Sequence, residues 1–209
     1  MNKETKEIRN EGQPSVSKGE AFRQDLLDWL QLISVVLVVI VGVFTFVVAI
    51  VGVSGSSMYP TLHDGDMMLV RRIAYSPEQG DVIVLRKDGT FDDRALVKRV
   101  IAVGGQTVYI DYDANTITVD GMIIEEPYLN REYDRDYGDD VMSDDRYELD
   151  PAYIGQEFTV PDGCVFVCGD NRNHSSDSRS VELGMVDERY VIGEVMIVFF
   201  PFSHIGVIN

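Results

Sequence analysis

Val53-Ser54-Gly55-Ser56-Ser57-Met58-Tyr59-Pro60-Thr61-Leu62 stands where a long uncharged apolar run gives way to a charged region of mixed composition. The junction divides the chain into two parts that call for different folds. Serines beside a glycine can present a hydroxyl on a constrained bend, and the same residues also make ordinary linkers. Taken alone, the stretch is open to both readings.

Upstream, Trp29 to Val53 carries no charged residue and is mostly Val, Ile, Leu and Phe. As a helix rising about 1.5 Å per residue it covers roughly 37 Å, more than the roughly 30 Å hydrocarbon core of a bilayer. β-branched residues are poor helix formers in water, but lipid demands that every backbone group be paired within the segment. The expectation is a single transmembrane helix over 29–53. A cleaved signal peptide fits less well, because the run exceeds a 7–15 residue apolar core and follows 28 residues of mixed charge. Lys3, Lys6, Arg9, Lys18 and Arg23 precede the run, and the next basic residue is Arg71. The excess of basic residues places segment 1–28 in the cytoplasm, disordered over its first twenty or so residues, and 54–209 outside. If the helix runs to Val53, at most about 14 Å of extended chain separates Ser57 from the membrane.

Downstream, short runs of β-formers alternate with Gly, Pro and charged clusters. Strands are expected at 66–70, 81–85, 96–103, 107–110, 116–119, 122–124, 157–160, 164–169 and 191–200. Asp120-Gly121 between two of these marks a hairpin, since both central residues of a type I′ turn need positive φ. No helical period follows residue 60, so the fold class is mainly antiparallel β. The expected domain over 54–209 carries an inserted β lobe over 105–160. Residues 132–150 hold nine acidic side chains against Arg135 and Arg146; their spacing does not match an EF-hand, and a solvated loop is expected.

Charge excludes one class of partner. The net charge is −17, of which −16 falls after residue 28, so nucleic acid is not expected to bind. The two cysteines, Cys164 and Cys168, lie four positions apart on one expected strand, about 13 Å between Cα atoms, too far for a disulfide. His63 and His204 read as surface residues, and no His/Cys/Asp spacing suggests a zinc site.

Lys98 and Arg99 interrupt an apolar strand, and as neighbours they point to opposite faces. Arginine stays charged in a protein, whereas burial lowers a lysine pKa by units, so Lys98 is the candidate base. Gly169-Asp170-Asn171-Arg172-Asn173-His174-Ser175-Ser176-Asp177-Ser178-Arg179 forms a polar loop after the Cys168 strand. His174, Asp177 and Ser57 would make an alternative triad, but one that leaves Lys98 without a role.

Four segments in order, Ser54–Leu62, Gly80–Leu85, Lys98–Val100 and Gly169–Arg179, resemble the ordered boxes of bacterial type I signal peptidases. The resemblance covers most of residues 30 to 200. It implies a membrane-bound endopeptidase that removes signal peptides from exported preproteins, cleaving after small residues with no metal or organic cofactor. It also implies a Ser/Lys dyad, a variant of the serine-hydrolase theme. On this match Ser57 is the nucleophile, Lys98 the general base and Ser175 the hydroxyl that orients the lysine. Asp177 and Arg179 form a supporting ion pair, and the Ser57 backbone N–H is one oxyanion donor. Gly55 stands where some members carry a serine that supplies the second donor, so the hydroxyl of Ser54 or Ser56, or water, takes that place here. Met58, Ile83, Leu85 and Val100 are the expected walls of two shallow apolar pockets alongside an extended substrate. The reading from another class is a catalytically silent, surface-anchored β domain that binds a partner through its acidic loop.

Overall fold

β-branched residues decide where the apolar run stops being helix. In the computed structural model, which describes residues 18–129, 142 and 149–208, helix α1 spans Lys18–Phe46, and Val48–Gly52 forms strand β1. The expected helix over 29–53 is therefore too long at its C-terminal end. Val48, Ile50 and Val51 favour extended backbone, and β1 pairs all five of its residues with the next strand, Met67–Arg71 (β2). The limit of about 14 Å between the membrane and Ser57 falls with it: β1 lies between the end of α1 and the serine bend in the chain.

The chain divides into two compact units, 1–43 and 44–209. Within the second, Val82–Leu85 (β3), Leu96–Val103 (β4), Thr107–Asp111 (β5), Thr116–Val119 (β6) and Met122–Ile123 (β7) follow in order. Phe158–Thr159 (β8), Cys164–Cys168 (β9), Val186–Asp187 (β10), Val191–Phe200 (β11) and Gly206–Val207 (β12) complete the set. Every pairing among these strands is antiparallel. One sheet runs β1-β2-β11-β3-β4-β9-β10, with β12 on β11; the other runs β7-β6-β5-β8 and is drawn from residues 107–159. Asp120 and Gly121 take φ of 51° and 78°, the pair of positive values that the β6–β7 hairpin requires.

All four residues of β3 are buried, so this strand is covered on both faces. Val82 and Val84 pack with Val53, Met58, Leu62, Met68 and Val70 on one side. Ile83 and Leu85 pack with Val100, Val165 and Val167 on the other. Met58 and Leu62 thus nail the segment after Ser57 to the sheet. A register shift between Val100 and Ala102 lets β4 turn Ile101 and Ala102 into a third cluster, shared with Val108, Ile110, Ile117 and Val119 of the second sheet. That bulge joins the two sheets. Cys164 and Cys168 are free thiols, and burial pushes Cys168 up to about 12. Most of the expected acidic loop, and residues 1–17, lie outside the described residues.

Candidate active site

The sheet order sets β4 between β3 and β9, so the middle of β4 and the loop after β9 meet at one place. Lys98 pairs with Ile83, and Arg99 pairs with both Val82 and Cys168. Alternation along the strand sends the two cations to opposite faces, and both faces are covered. Lys98 and Arg99 are each 2% exposed, so each has to be reconciled with burial by its neighbours.

Lys98 solves this with a serine. Its Nζ lies 2.8 Å from Ser57 Oγ and 2.9 Å from the Val97 carbonyl. Burial pulls its pKa down to about 8; Asp177, Cys168 and Asp170 pull the other way and recover only part of the shift. Arg99 is held by a two-pronged ion pair with Asp170, Nε to Oδ1 at 2.9 Å and Nη2 to Oδ2 at 2.8 Å. Its Nη1 donates to the Gly80 carbonyl at 2.8 Å, and its guanidinium sits 3.9 Å from the centre of the Tyr128 ring.

The loop after β9 clasps the backbone at Ser57. Asn171 N–H donates to the Ser57 carbonyl at 3.0 Å, and the Asn171 side chain donates to the Ser56 carbonyl at 3.1 Å. A Cβ on Gly169 would overlap both the Ser57 carbonyl and the Ser175 hydroxyl, so only glycine fits this crossing. Gly169→Ala is expected to lower turnover by about 10²-fold or more while the protein stays folded, since a displacement near 1 Å suffices for that loss. Steady-state cleavage alongside circular dichroism measures both.

Two further ion pairs stiffen the same loop. Arg179 grips Asp177 through Nε to Oδ1 at 2.8 Å and Nη2 to Oδ2 at 2.9 Å, and Asp177 also accepts from Gly169 N–H at 3.0 Å. Burial alone would push Asp177 up; the Arg179 charge and these hydrogen bonds outweigh it and hold the carboxyl below its ordinary value. Arg172, fully buried, pairs with Glu126 and donates to the Gly169 carbonyl. Ser175 Oγ lies near enough to Asp177 to favour its charged form, yet is buried without a hydrogen bond of ordinary geometry.

A cleft of about 540 Å³ opens over Ser57 and Lys98, walled by the 54–57 bend, by Phe91 and Leu96 ahead of and at the start of β4, and by His174 and Ser176. A second cleft, of about 560 Å³, involves neither residue of the pair. The expected pocket walls are corrected here. Met58, Ile83, Leu85 and Val100 are each at most 1% exposed, and none lines the cleft. Because β3 is covered on both faces, its apolar side chains are core. Gly55 has φ of 95°, a left-handed conformation that strains any residue with a Cβ, and its N–H is taken by Asp64 Oδ1 at 2.8 Å. The Ser57 N–H donates to no group among the described residues.

The sequence reading brought together Ser57, Lys98, Ser175, Asp177 and Arg179, but missed Asp170, Arg172 and Glu126. The signal for Asp170 was the adjacency of Lys98 and Arg99 in a strand apolar on both sides, which demands a buried carboxylate for the arginine; Arg172 and Glu126 lie 46 residues apart and had no such signal. His174 borders the cleft but bonds neither Ser57 nor Asp177, which leaves the alternative triad without geometry.

A serine hydroxyl within hydrogen-bond reach of a buried amine, at the foot of an open cleft, is the arrangement that a serine nucleophile and its base require. Comparison with known proteins carries this further. The family model described as "Signal peptidase, peptidase S26" matches residues 26–200. Signal peptidase IB of Staphylococcus aureus (strain Mu50) is 35% identical over 185 residues, 87% of this chain and 93% of its own. Signal peptidase I of Bacillus licheniformis is 35% identical over 195 residues, 88% of this chain and 93% of its own. A solved signal peptidase I from Enterococcus faecalis V583 is 29% identical, with a TM-score of 0.44 over 57% of this chain and 97% of that one. The chain belongs to the signal peptidase S26 family and is a serine endopeptidase.

Proposed function

We propose that this chain removes N-terminal signal peptides from exported preproteins at the outer face of the membrane, using Ser57 as nucleophile and Lys98 as general base. The observation that carries the reading is the 2.8 Å approach of a buried lysine amine to the Ser57 hydroxyl. A neutral amine accepts the Ser57 proton as Oγ attacks the scissile carbonyl, then returns it to the departing amine. The Ser57 N–H, which donates to no acceptor among the described residues, supplies one oxyanion donor, with the Ser54 or Ser56 hydroxyl, or water, as the second. Ser175 is assigned to orienting the lysine, a role that needs its hydroxyl to turn toward Lys98 when substrate binds, while the Asp177–Arg179 pair holds that loop in place.

Anchoring follows from the helix. Phe22–Phe46 is 25 residues long and contains an 18-residue window of mean hydropathy 2.5, enough to cross a bilayer. Its flanking basic residues direct segment 1–28 to the cytoplasm and the catalytic unit outward. A preprotein whose own apolar segment is in the bilayer then presents its cleavage site on the side where Ser57 works.

The pH profile tests the mechanism. Only the neutral amine can take a proton, so the rate of model-preprotein cleavage in detergent is expected to rise about tenfold per pH unit below 8 and to level off above it. At pH 7 roughly one tenth of the enzyme is in the active form. A rate that stays flat from pH 6 to 10 would remove Lys98 from the role of base.

A further inference from the structure

Phe200 at the end of β11 pairs with Met67 at the start of β2, so the residue before β2 and the turn after β11 meet at one end of the sheet. These are Asp66 and the Phe202–His204 turn. A tight reverse turn brings in a third group: Asp66 N–H donates to the His63 carbonyl at 3.1 Å, and His63 N–H donates to Asp66 Oδ2 at 2.8 Å. Two imidazoles thereby face one carboxylate. His204 Nδ1 is 2.8 Å from Asp66 Oδ1, His63 Nδ1 is 3.9 Å from Asp66 Oδ2, and the ring centres are 4.5 Å apart.

We propose that His63, Asp66 and His204 bind a divalent transition-metal ion of the zinc class, at a site separate from the catalytic cleft. One donor atom from each of the three lies within 4.8 Å of the others. Tetrahedral zinc with bonds of about 2.1 Å places its ligands about 3.4 Å apart, so the donors need to close by about 1 Å. The parts that must move are free to do so: the His63 and His204 side chains are 40% and 38% exposed, while Asp66 is 1% exposed and fixed by its turn. Two imidazole nitrogens with one carboxylate oxygen suit zinc and its neighbours, whereas magnesium and calcium take oxygen donors. The His63 imidazole, 3.9 Å away, is too distant for a direct hydrogen bond to the carboxylate, and its spacing fits an ion between them. Solvent on the imidazole side leaves the fourth position to water.

The consequence reaches the serine bend. Val53 N–H donates to the Asp66 carbonyl and Gly65 N–H to the Val53 carbonyl, so an ion on Asp66 ties the entry of the bend to the C-terminal turn. His63 and His204 lie at opposite ends of the β unit, so their convergence leaves no spacing signature along the chain.

The test is calorimetric titration of the chelator-treated full chain in detergent with zinc chloride. One ion per chain, micromolar affinity, and a Tm rise of about 5 °C at hundredfold excess over Kd are expected. His63→Ala and His204→Ala should each weaken binding at least tenfold, and His174→Ala, which removes the chain's third histidine, should leave it unchanged. Circular dichroism checks that each variant is folded, and cobalt substitution should give the visible bands of a four-coordinate ion. Absence of binding, or equal affinity in the folded His63→Ala/His204→Ala double variant, overturns the proposal.

Discussion

Ser57→Ala and Lys98→Arg are each expected to cut the turnover of a model preprotein by about 10⁴-fold or more, the loss seen when one member of a nucleophile–base unit is removed. Serine supplies the attacking oxygen, so alanine leaves only binding and the oxyanion donors. Arginine keeps the charge, but its guanidinium cannot become neutral and so has no lone pair for the Ser57 proton. Lys98→Met removes the base without adding charge and should be as inactive as Lys98→Arg. The Ser57→Ala/Lys98→Met double variant should be scarcely worse than either single change, because the two groups act in one step. Normal activity in Lys98→Arg would refute the neutral-base mechanism outright. The same lysine carries a stability cost. Its pKa falls from 10.5 unfolded to about 8 folded, so below pH 8 its burial costs about 3 kcal/mol, a cost relieved as pH rises from 8 toward 10.5. Lys98→Met should therefore raise the urea midpoint at pH 7 while abolishing cleavage.

Such a cost at one buried residue shows which parts of this molecule could be read from sequence. β4, β6 and β11 were legible to the residue, because β-branched runs bounded by Gly, Asp and Pro leave little freedom at their ends. β1 was not, since Val47 to Val53 satisfies the pattern of a lipid-spanning helix and of a paired strand equally well. Only the partner β2, fifteen residues on, decides between them. β10 and β12, with two residues each, carry no periodicity at all. Ser57, Lys98 and the Ser175–Arg179 loop were visible through the resemblance of their segments. The pocket walls were misplaced because period-2 alternation does not say whether the second face of β3 is open or covered. Gly55 looked like a missing hydroxyl, and its φ of 95° shows a backbone demand instead.

Asp170→Ala is expected to cost about 3–5 kcal/mol of stability, a large share of the roughly 5–15 kcal/mol typical of a folded domain. The reason lies in what remains. Arg99 is 2% exposed and the Asp170 side chain wholly buried, so deleting the carboxylate removes the buried counter-charge of a guanidinium whose other neighbours include the Gly80 carbonyl and the Tyr128 ring. Asp170 also accepts from Thr61 Oγ1, four residues after the nucleophile. One carboxylate therefore connects the strand bearing Lys98, the loop clasping Ser57 and the segment leaving Ser57. Urea unfolding should show the midpoint shift, with Tm lower by about 10 °C. Arg99→Met/Asp170→Leu should lose less stability than Asp170→Ala, since it removes both charges and leaves neither unpaired. The double variant should nevertheless remain a poor enzyme, because apolar packing restores burial without the hydrogen bonds that aim Ser57 at Lys98. If Asp170→Ala lies within about 1 kcal/mol of wild type, the pair is dispensable to the fold, and the connection of strand, loop and Ser57 has to be carried by the Asn171 bonds to the serine bend and by the Arg179–Asp177 and Arg172–Glu126 pairs.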